Sequence, residues 1–431
     1  MTDNTDLTSL DGDFLHLERD NHPRHFALVL ELDENAPPLP VAELRERVRI
    51  RAGGFRQFQT RIDRGVWRRP IIGVAGDWDA GVNVSEAITD GPQATTETLG
   101  RLLATRLSRS TPLWHVTLIT QHNPGRQLLV LRVHHALADG MTSVGYGMLL
   151  LDGTDAELAP FTRFLESEKF VLGPLDRDEK RRAVTSFASS WVQGRTRPRW
   201  PRLSDSGERQ VSLVSVPTKS LYARTRELSV SSRALVLAAC GVALRRCPPA
   251  GHPPPPKVRV SLPCTLDPSF RHVGNGTSIT VVNLDGRAGT LDGQLANLRP
   301  QLDRVERDRP ELAMTLLSGP SLLPWPMQRI VTNAFMKLLR LDVEIGVNPA
   351  AIALREVLGR RVVGVYPVPS LLGTSLAVAG LVFGDTTTFG IVADGGPLNG
   401  YASMFAEAFE TTLTGRSVAV PASVPAAPES K

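Results

Sequence analysis

The strongest structural signal in the sequence is a β-hairpin. Residues 114–120 and 127–133 are two apolar segments joined through Asn123-Pro124-Gly125, a tripeptide typical of a tight turn. Residues 134–140, His-His-Ala-Leu-Ala-Asp-Gly, follow directly, and residues 141–150 have the pattern of a helix. The sequence therefore predicts two paired strands that end in two adjacent histidines and lead into a helix.

Strands and helices are predicted in both halves of the chain. The predicted helices are 41–51, 96–108, a helix capped by Ser231 or Ser232 that runs to 246, 291–307 and 401–413. Further strands are predicted at 26–32, 258–262, 278–284, 362–366, 375–383 and 387–392. This mixture indicates the α/β (α+β) class. Residues 417–431 consist mainly of Ala, Val, Pro and Ser, and we expect a disordered tail there.

A basic segment, residues 173–212, is the predicted connection between two domains. The length of 431 residues corresponds to two or three domains. Nine basic and five acidic residues lie between positions 171 and 210, which accounts for most of the net charge of +5. The predicted domains are 1–172 and 213–416. Trp191 and Trp200 lie in this segment, which is either a solvated linker or a contact with an anionic membrane surface.

Composition excludes several classes of protein. Hydrophobic residues make up 42% and charged residues 22%, which is ordinary globular usage. The net charge is too small to indicate a nucleic-acid partner. Only three cysteines occur, no signal peptide is recognisable, and no apolar run reaches the roughly 20 residues that span a bilayer. We therefore expect a cytoplasmic protein that is soluble or peripheral at the inner face of the plasma membrane.

The adjacent histidines are the best candidates for chemistry. Neighbouring side chains of a strand point to opposite faces, and His135 shares its face with Leu129, Leu131 and Val133. This favours His135 over His134 as the imidazole against an apolar wall, where it can act as a general base. Asp139 could orient an imidazole or pair with an arginine, and Gly140 would let the chain reverse. A purely structural histidine pair and, less favoured, a metal site are the alternatives.

Several motifs together resemble one family. His134-His135-Ala136-Leu137-Ala138-Asp139-Gly140 resembles the HHxxxDG motif of acyl-CoA acyltransferases, a superfamily that includes chloramphenicol acetyltransferase and condensation domains. Residues 10–15 (Leu-Asp-Gly-Asp-Phe-Leu), Pro112-Leu113-Trp114 and Gly274-Asn275 resemble landmarks of one group within it. That group is the bacterial wax ester synthase/diacylglycerol acyltransferases, and the resemblance extends over almost the whole chain.

The resemblance implies a fold and a reaction. Two chloramphenicol-acetyltransferase-like domains would form a pseudo-dimer around a substrate channel. His135 would deprotonate an alcohol that attacks a long-chain acyl-CoA, with diacylglycerol or a fatty alcohol as acceptor. His134, Asp139 and Gly140 would belong to the catalytic motif, in which Asp139 would have a structural and orienting role. Gly274-Asn275 would contact substrate, and residues 112–114 would either line the substrate channel or simply pack in the core. No cofactor or metal is implied, because acyl-CoA is a substrate, and a membrane or lipid droplet is the implied surface partner.

Two departures keep other functions open. The family's Asn-Asp pair at the start of the helix after Ser232 is replaced by Arg233-Ala234, and its NVPGP turn is altered at residues 346–351. These changes are compatible with acylation of a specialised-metabolite hydroxyl or amine, or with a catalytically silent lipid-binding paralogue. Residues 316–341 combine apolar and basic side chains, so they predict either an interfacial amphipathic helix or packing against the other domain.

Overall fold

Fifteen strands and twelve α-helices are present in the described part of the chain. The computed structural model describes residues 5–63, 71–74, 79–123, 125–252, 255–317 and 324–415. The strands are β1 Thr5–Asp6, β2 His25–Leu32, β3 Thr60–Asp63, β4 Ile71–Val74, β5 Val84–Thr89, β6 Trp114–Gln121, β7 Arg126–His134, β8 Arg209–Pro217, β9 Lys257–Thr265, β10 Thr277–Asp285, β11 Val343–Ile352, β12 Glu356–Val357, β13 Arg360–Val368, β14 Leu376–Phe383 and β15 Thr386–Asp394. The helices are α1 Ser9–Leu17, α2 Val41–Gly53, α3 Pro92–Ala104, α4 Gly140–Met148, α5 Asp155–Leu165, α6 Arg177–Gln193, α7 Thr218–Leu228, α8 Ser232–Arg246, α9 Leu291–Asp308, α10 Leu312–Leu317, α11 Trp325–Leu339 and α12 Tyr401–Thr414.

The strands form two six-stranded mixed sheets and one small sheet. The first sheet has the order β12-β13-β2-β7-β6-β5, the second β10-β9-β11-β14-β15-β8, and the small sheet β1-β4-β3. The predicted hairpin is confirmed, because β6 and β7 pair in antiparallel fashion with Trp114 opposite Val133. Pro124 of its turn and the predicted tail at 417–431 lie outside the described residues. The mixed α/β class is therefore confirmed.

Strand exchange joins the two halves. β12 and β13 come from the predicted second domain, yet β13 pairs with β2 and completes the first sheet. The predicted domain boundaries at residues 172 and 213 stay a prediction. The first sheet contains strands from both sides of these boundaries. β13 also packs on β15, where a Cβ at residue 390 would lie 2.2 Å from the carbonyl oxygen of Pro367. Glycine at position 390 therefore lets the two sheets approach.

Each sheet covers a hydrophobic core, and a third apolar cluster lies between the sheets. In the second half, α8 is inserted in the core so completely that all residues from 234 to 244 are buried. Its N-cap is Ser231, whose side chain accepts a hydrogen bond from the backbone N–H of Ala234 at 3.2 Å. The third cluster contains Val29, Val130 and Val392 and holds the halves together.

The basic segment packs against the rest of the protein through its two tryptophans and one face of a helix. Much of it forms α6, and Trp200 is 2% exposed and donates a hydrogen bond from Nε1 to Ser375 Oγ at 2.9 Å. Trp191 donates from Nε1 to the carbonyl oxygen of Leu339 at 2.8 Å. Indole rings bury large apolar areas when a core offers room, so the tryptophans anchor this segment, while most of its basic residues are exposed. Its role as the connection between two domains stays a prediction. Burial of Trp200 removes it from any membrane surface.

None of the described helices is by itself long and apolar enough to cross a bilayer. The bent pair of α7 and α8, with 92° between them, passes that test when taken together, by length and composition alone.

Candidate active site

His135 lies at the wall of a large cavity between the two halves. The β7 strand ends at His134, and the next residue is held by a hydrogen bond from its backbone N–H to the carbonyl oxygen of Arg24 at 2.8 Å. The His135 ring stacks on Phe14 of α1, with ring centroids 4.5 Å apart and an angle of 12° between the planes. The cavity has an empty volume of about 1140 Å³, its open mouth included. His135, Asp139, Gly140 and Asn275 all contribute to its lining.

The His135 imidazole is held in its neutral form. Burial, the neighbouring His134 and the Arg24 guanidinium together lower its pKa to about 3, and a backbone hydrogen bond at Ala138 opposes them. Desolvation disfavours the imidazolium, and a cation nearby adds to this effect. The imidazole is therefore unprotonated at any pH near neutrality, and the same low pKa makes it a weaker proton acceptor than a free histidine. His135 therefore has the protonation state that a general base requires.

His134 points away from the cavity and forms a buried polar contact. It is 1% exposed, its Nε2 lies 3.2 Å from Glu18 Oε1, and its Nδ1 accepts a hydrogen bond from the backbone N–H of Ala136 at 2.9 Å. Glu18 also pairs with Arg109. Burial acts to raise the pKa of Glu18, but His134 and Arg109 outweigh it and hold that pKa well below its usual range. His134 therefore orients the strand end and does not line the cavity.

Asp139 ties the histidine motif to the second half of the chain. It caps α4: its Oδ1 accepts from the backbone N–H of Thr142 at 2.9 Å. Its Oδ2 accepts from the backbone N–H of Gly276 at 3.1 Å and from Thr277 Oγ1 at 2.8 Å. In the described structure its partners are thus neither an imidazole nor an arginine, which corrects both of those expected pairings, and its contacts are those of a structural residue. Burial raises the pKa of its carboxyl group, and the donated hydrogen bonds oppose that shift.

Gly274 requires glycine, whereas Gly140 does not. Gly274 has a φ of +97°, and a Cβ there would lie 3.0 Å from the Lys169 side chain. Its carbonyl oxygen accepts hydrogen bonds from the backbone N–H of Asp139 and from Thr142 Oγ1. Gly140 is simply the first residue of α4, and a Cβ there would make an ordinary contact. The expectation that Gly140 reverses the chain is therefore wrong.

Asn275 fixes the backbone of His135. Its Nδ2 donates to the carbonyl oxygen of His135 at 2.6 Å and to Asp11 Oδ1 at 2.7 Å. Asp11 is fully buried and also accepts from Lys169 Nζ at 2.5 Å. Three separated sequence motifs, at residues 10–15, 134–140 and 274–275, therefore meet in one hydrogen-bonded network. Because a charged acceptor strengthens such bonds, this network restrains His135 from both halves.

Residues 112–114 do not line this cavity. Leu113 and Trp114 are buried in the core of the first half, and Trp114 donates from Nε1 to the carbonyl oxygen of Phe58 at 2.8 Å. The carbonyl oxygen of Leu113 accepts from the backbone N–H of His134 at 2.9 Å, and that of Pro112 accepts from Asn83. The predicted contact between these residues and the substrate is therefore not supported. Large apolar side chains favour the core, and from there the backbone of Leu113 supports the end of β7 that carries His134.

Two residues that line the cavity, Phe14 and Glu344, had no function predicted from the sequence. Phe14 lies in the recognised 10–15 motif, but nothing in the sequence pairs it with His135. Glu344 and Asn348 of β11 line the cavity, and so does Arg233, the residue at which the family's Asn-Asp pair is replaced. The sequence does contain one indication that Glu344 is functional, because it is an acidic residue between the apolar residues Val343 and Ile345 of β11. Among the described residues, no cluster of His, Cys, Asp or Glu is suited to hold a metal ion.

Sequence relatives point to one family of enzymes. Residues 7–182 match the family model of the wax ester synthase/diacylglycerol acyltransferase catalytic domain. The probable diacylglycerol O-acyltransferase tgs1 of Mycobacterium tuberculosis is 25% identical over 327 residues, which cover 69% of this chain and 70% of that protein. The probable diacylglycerol O-acyltransferase tgs3 of the same organism is 27% identical over 156 residues, which cover 35% of this chain and 57% of that protein.

Solved structures share the whole two-sheet architecture. The wax ester synthase/diacylglycerol acyltransferase from Marinobacter aquaeolei VT8 superimposes with a TM-score of 0.64 at 18% identity, covering 95% of this chain and 98% of that one. The first condensation domain of the calcium-dependent antibiotic synthetase gives a TM-score of 0.60 at 15% identity, covering 95% and 96%. The predicted arrangement of two chloramphenicol-acetyltransferase-like domains is thereby confirmed. Residues 7–182 thus match the catalytic domain of the wax ester synthase/diacylglycerol acyltransferase family, and the chain as a whole is similar to acyltransferases of that family.

Proposed function

We propose that this enzyme transfers a long-chain acyl group from acyl-CoA to the hydroxyl group of diacylglycerol or a fatty alcohol, with His135 as general base. The observation that carries the proposal is the neutral His135 imidazole at the wall of the cavity between the halves. A positioned base typically contributes about 10² to 10⁴ in rate. The names of the mycobacterial relatives support diacylglycerol as the acceptor.

The reaction needs no group beyond the substrates and the imidazole. The neutral imidazole of His135 takes the proton of the acceptor hydroxyl while the oxygen attacks the thioester carbonyl carbon. The carbon–sulfur bond then breaks, the ester forms, and the CoA thiolate takes the proton from the imidazolium. Phe14 keeps water from one face of the ring, and Asn275 holds the backbone carbonyl of His135 in place. No cofactor is part of this proposal.

A second cavity provides space for a long apolar chain. It lies between α1, α11 and the second sheet and has an empty volume of about 950 Å³, its opening included. Leu17, Ile279, Met314, Phe335 and Met336 contribute to its mostly apolar lining. Phe14 and Ile279 are shared with the His135 cavity, so the two spaces adjoin. An acyl or alkyl chain that extends from the reacting carbon is the ligand that suits such a lining.

The outer face of α11 supports association with a lipid surface. Its inner face packs on α1, where Thr332 Oγ1 donates to Asp13 Oδ1 at 3.0 Å. Its outer face exposes Ile330 by 69% and Leu338 by 59%. These positions are two turns apart on one face, and basic residues flank them at 329 and 337. We propose that this face docks on an anionic membrane or lipid droplet, next to the second cavity.

Flotation with liposomes tests the docking proposal. Ile330→Ser combined with Leu338→Ser should reduce the floated fraction on anionic vesicles severalfold. Met404→Ser, which removes an exposed apolar side chain from α12, serves as the matched control and should leave flotation unchanged. Equal flotation of wild type and the double variant would exclude α11 as the docking face.

An acceptor screen tests the proposed reaction. Purified protein is incubated with palmitoyl-CoA and, in turn, diolein, hexadecanol, or a panel of polar hydroxyl and amine compounds, and CoA release and acylated products are measured. The proposal expects acceptor-dependent CoA release with diolein or hexadecanol. Turnover with the polar panel alone would indicate acylation of a specialised metabolite. No acceptor-dependent release from any compound would indicate a silent lipid-binding protein.

A further inference from the structure

Glu344 is a buried acid at the junction of the two cavities. It lies on β11, is 8% exposed, and contributes to the lining both of the His135 cavity and of the apolar cavity beside α11. The neighbouring positions of β11 are Val343 and Ile345, both fully or nearly fully buried. An acidic side chain in a central strand is unusual, because charged groups are rarely buried without a partner.

The Glu344 carboxyl group lacks such a partner on its buried oxygen. Within the described part of the chain, Oε2 accepts no hydrogen bond. The strand register places Ser261 of β9 and Ala377 of β14 beside Glu344. Arg24 is the nearby cation, but its Nη1 donates to the carbonyl oxygen of Leu371 at 2.8 Å instead. A buried polar atom left without a hydrogen bond destabilises a fold, so its presence in a cavity suggests that a ligand completes it.

The protonation state of Glu344 indicates which ligand group it would bind. Burial raises the pKa of Glu344 to about 8, although the positive charge of Arg24 acts in the opposite direction. The group is then mostly a neutral carboxylic acid near pH 7 and can donate a hydrogen bond from its O–H. A neutral acid donates well to a carbonyl oxygen. The occupant of this junction should therefore carry a carbonyl group.

The two proposed acceptors differ in this feature. A fatty alcohol has one polar atom, and in the proposed reaction His135 takes its proton, so only methylene groups would be left to face Glu344. A diacylglycerol carries two ester carbonyls within a few atoms of its free hydroxyl. With a fatty alcohol bound, the Glu344 carboxyl group would have neither a hydrogen-bond partner nor water. A site discriminates against ligands that leave one of its buried polar groups unpaired in this way.

We propose that Glu344 is a specificity-determining residue that donates a hydrogen bond to an ester carbonyl of a glyceride acceptor, so that the enzyme prefers diacylglycerol to fatty alcohols. The inference rests on the proposed function and names its acceptor class. Glu344 does not touch the reacting proton in this proposal. Its effect should therefore be found in the ratio of the two acceptor reactions and not in the chemistry that they share.

Acceptor selectivity of Glu344 variants tests the proposal. kcat/KM is measured with diolein and with hexadecanol at one palmitoyl-CoA concentration. Glu344→Ala should lower kcat/KM for diolein about tenfold, the change that loss of one hydrogen bond produces, and leave that for hexadecanol unchanged or higher. Glu344→Gln keeps a neutral donor and should retain most of the preference. The unfolding temperature of Glu344→Ala should not fall, because the variant removes an unsatisfied group.

Asp342→Asn is the matched control. Asp342 is a partly buried acid directly before β11, but its Oδ2 accepts from the backbone N–H of Arg259 at 2.9 Å, and it lines a different, small cavity. This variant should keep the wild-type ratio. An unchanged ratio in Glu344→Ala would overturn the proposal. An equal loss with both acceptors and a raised KM for palmitoyl-CoA would also overturn it, since the carboxyl group would then serve the acyl donor.

Failure of the proposed reaction can be separated from failure of this inference. If wild type acylates neither acceptor, the proposed function is wrong, and lipid binding still tests Glu344. Dissociation constants for dioctanoylglycerol and hexadecanol, measured by titration calorimetry without acyl-CoA, should show about tenfold weaker binding of the glyceride alone to Glu344→Ala. Equal affinities of wild type and variant for the glyceride would overturn the inference.

Discussion

Removal of the Phe14 ring should move the acid limb of the pH–rate profile. Phe14 stacks on His135 at 4.5 Å, and burial is the largest cause that lowers the pKa of His135 to about 3. An imidazole with a pKa of about 3 is roughly 99% neutral near pH 5, whereas one with the ordinary value of about 6.5 is roughly 3% neutral. Wild-type kcat/KM should therefore change less than about twofold between pH 7.5 and 5.

Phe14→Ala admits water to the His135 ring and should raise its pKa by about 2.5 units, to about 5.5, because the imidazolium becomes solvated. Activity of the variant, which depends on the neutral imidazole, should then decline severalfold as the pH falls towards 5. Phe14→Leu keeps an apolar cover and should follow the wild-type profile. Initial rates of CoA release at low palmitoyl-CoA and saturating diolein measure these profiles, with circular dichroism as a check of folding at each pH.

Two results would refute this reasoning. A loss of about 30-fold in wild-type kcat/KM near pH 5, with a midpoint close to 6.5, would mean that the His135 imidazole is solvated like that of a free histidine. Identical profiles for Phe14→Ala and wild type would mean that the stacked ring does not control the pKa. Either outcome would show that the burial and stacking of His135 do not set the pKa of the proposed base.

Three further predictions concern the network and its stability. Gly274→Ala should lower the free energy of unfolding by about 1–3 kcal/mol in chemical denaturation, because residue 274 has a φ of +97°. Asn275→Ala removes the hydrogen bond to the His135 carbonyl oxygen and the one to Asp11 Oδ1. It should lower kcat about 10²-fold with little change in KM, as measured by steady-state kinetics, and an unchanged kcat would contradict this. His25 is 1% exposed, neither ring nitrogen has a hydrogen-bond partner among the described residues, and burial holds its pKa well below 6.5. Below pH 6.5 the unfolded chain therefore binds a proton at His25 that the folded chain does not bind. As the pH falls from 6.5 to 5, the free energy of unfolding of wild type should decrease by about 2 kcal/mol more than that of His25→Phe. Urea denaturation at each pH measures this difference.

Secondary structure was largely predictable because its signals are local. The hairpin of β6 and β7, the cap of α8 at Ser231 and the terminal helix α12 all follow from apolar periodicity, turn residues and side-chain caps. The exchange of β13 into the first sheet could not be predicted in this way. Pairing between β2 and β13 links positions more than 300 residues apart, and apolar alternation does not specify a partner strand.

The candidate site was predictable only in part, for the same reason. Strand parity favoured His135 as the residue that faces an apolar wall, and the structure places its ring at the cavity. The partners of Asp139, by contrast, are Gly276 and Thr277, which come from the other half of the chain. Burial of Glu344 likewise depends on how two sheets pack. Roles that arise from contacts between distant segments need the folded structure.

The central claim is that His135 removes the proton of the acceptor. The most direct test compares acceptor-dependent CoA release from palmitoyl-CoA by wild type and by His135→Ala, at matched protein concentration and confirmed folding. The account predicts a fall in kcat of about 10² to 10⁴ with the unfolding temperature little changed. Release at the wild-type rate by His135→Ala would contradict it.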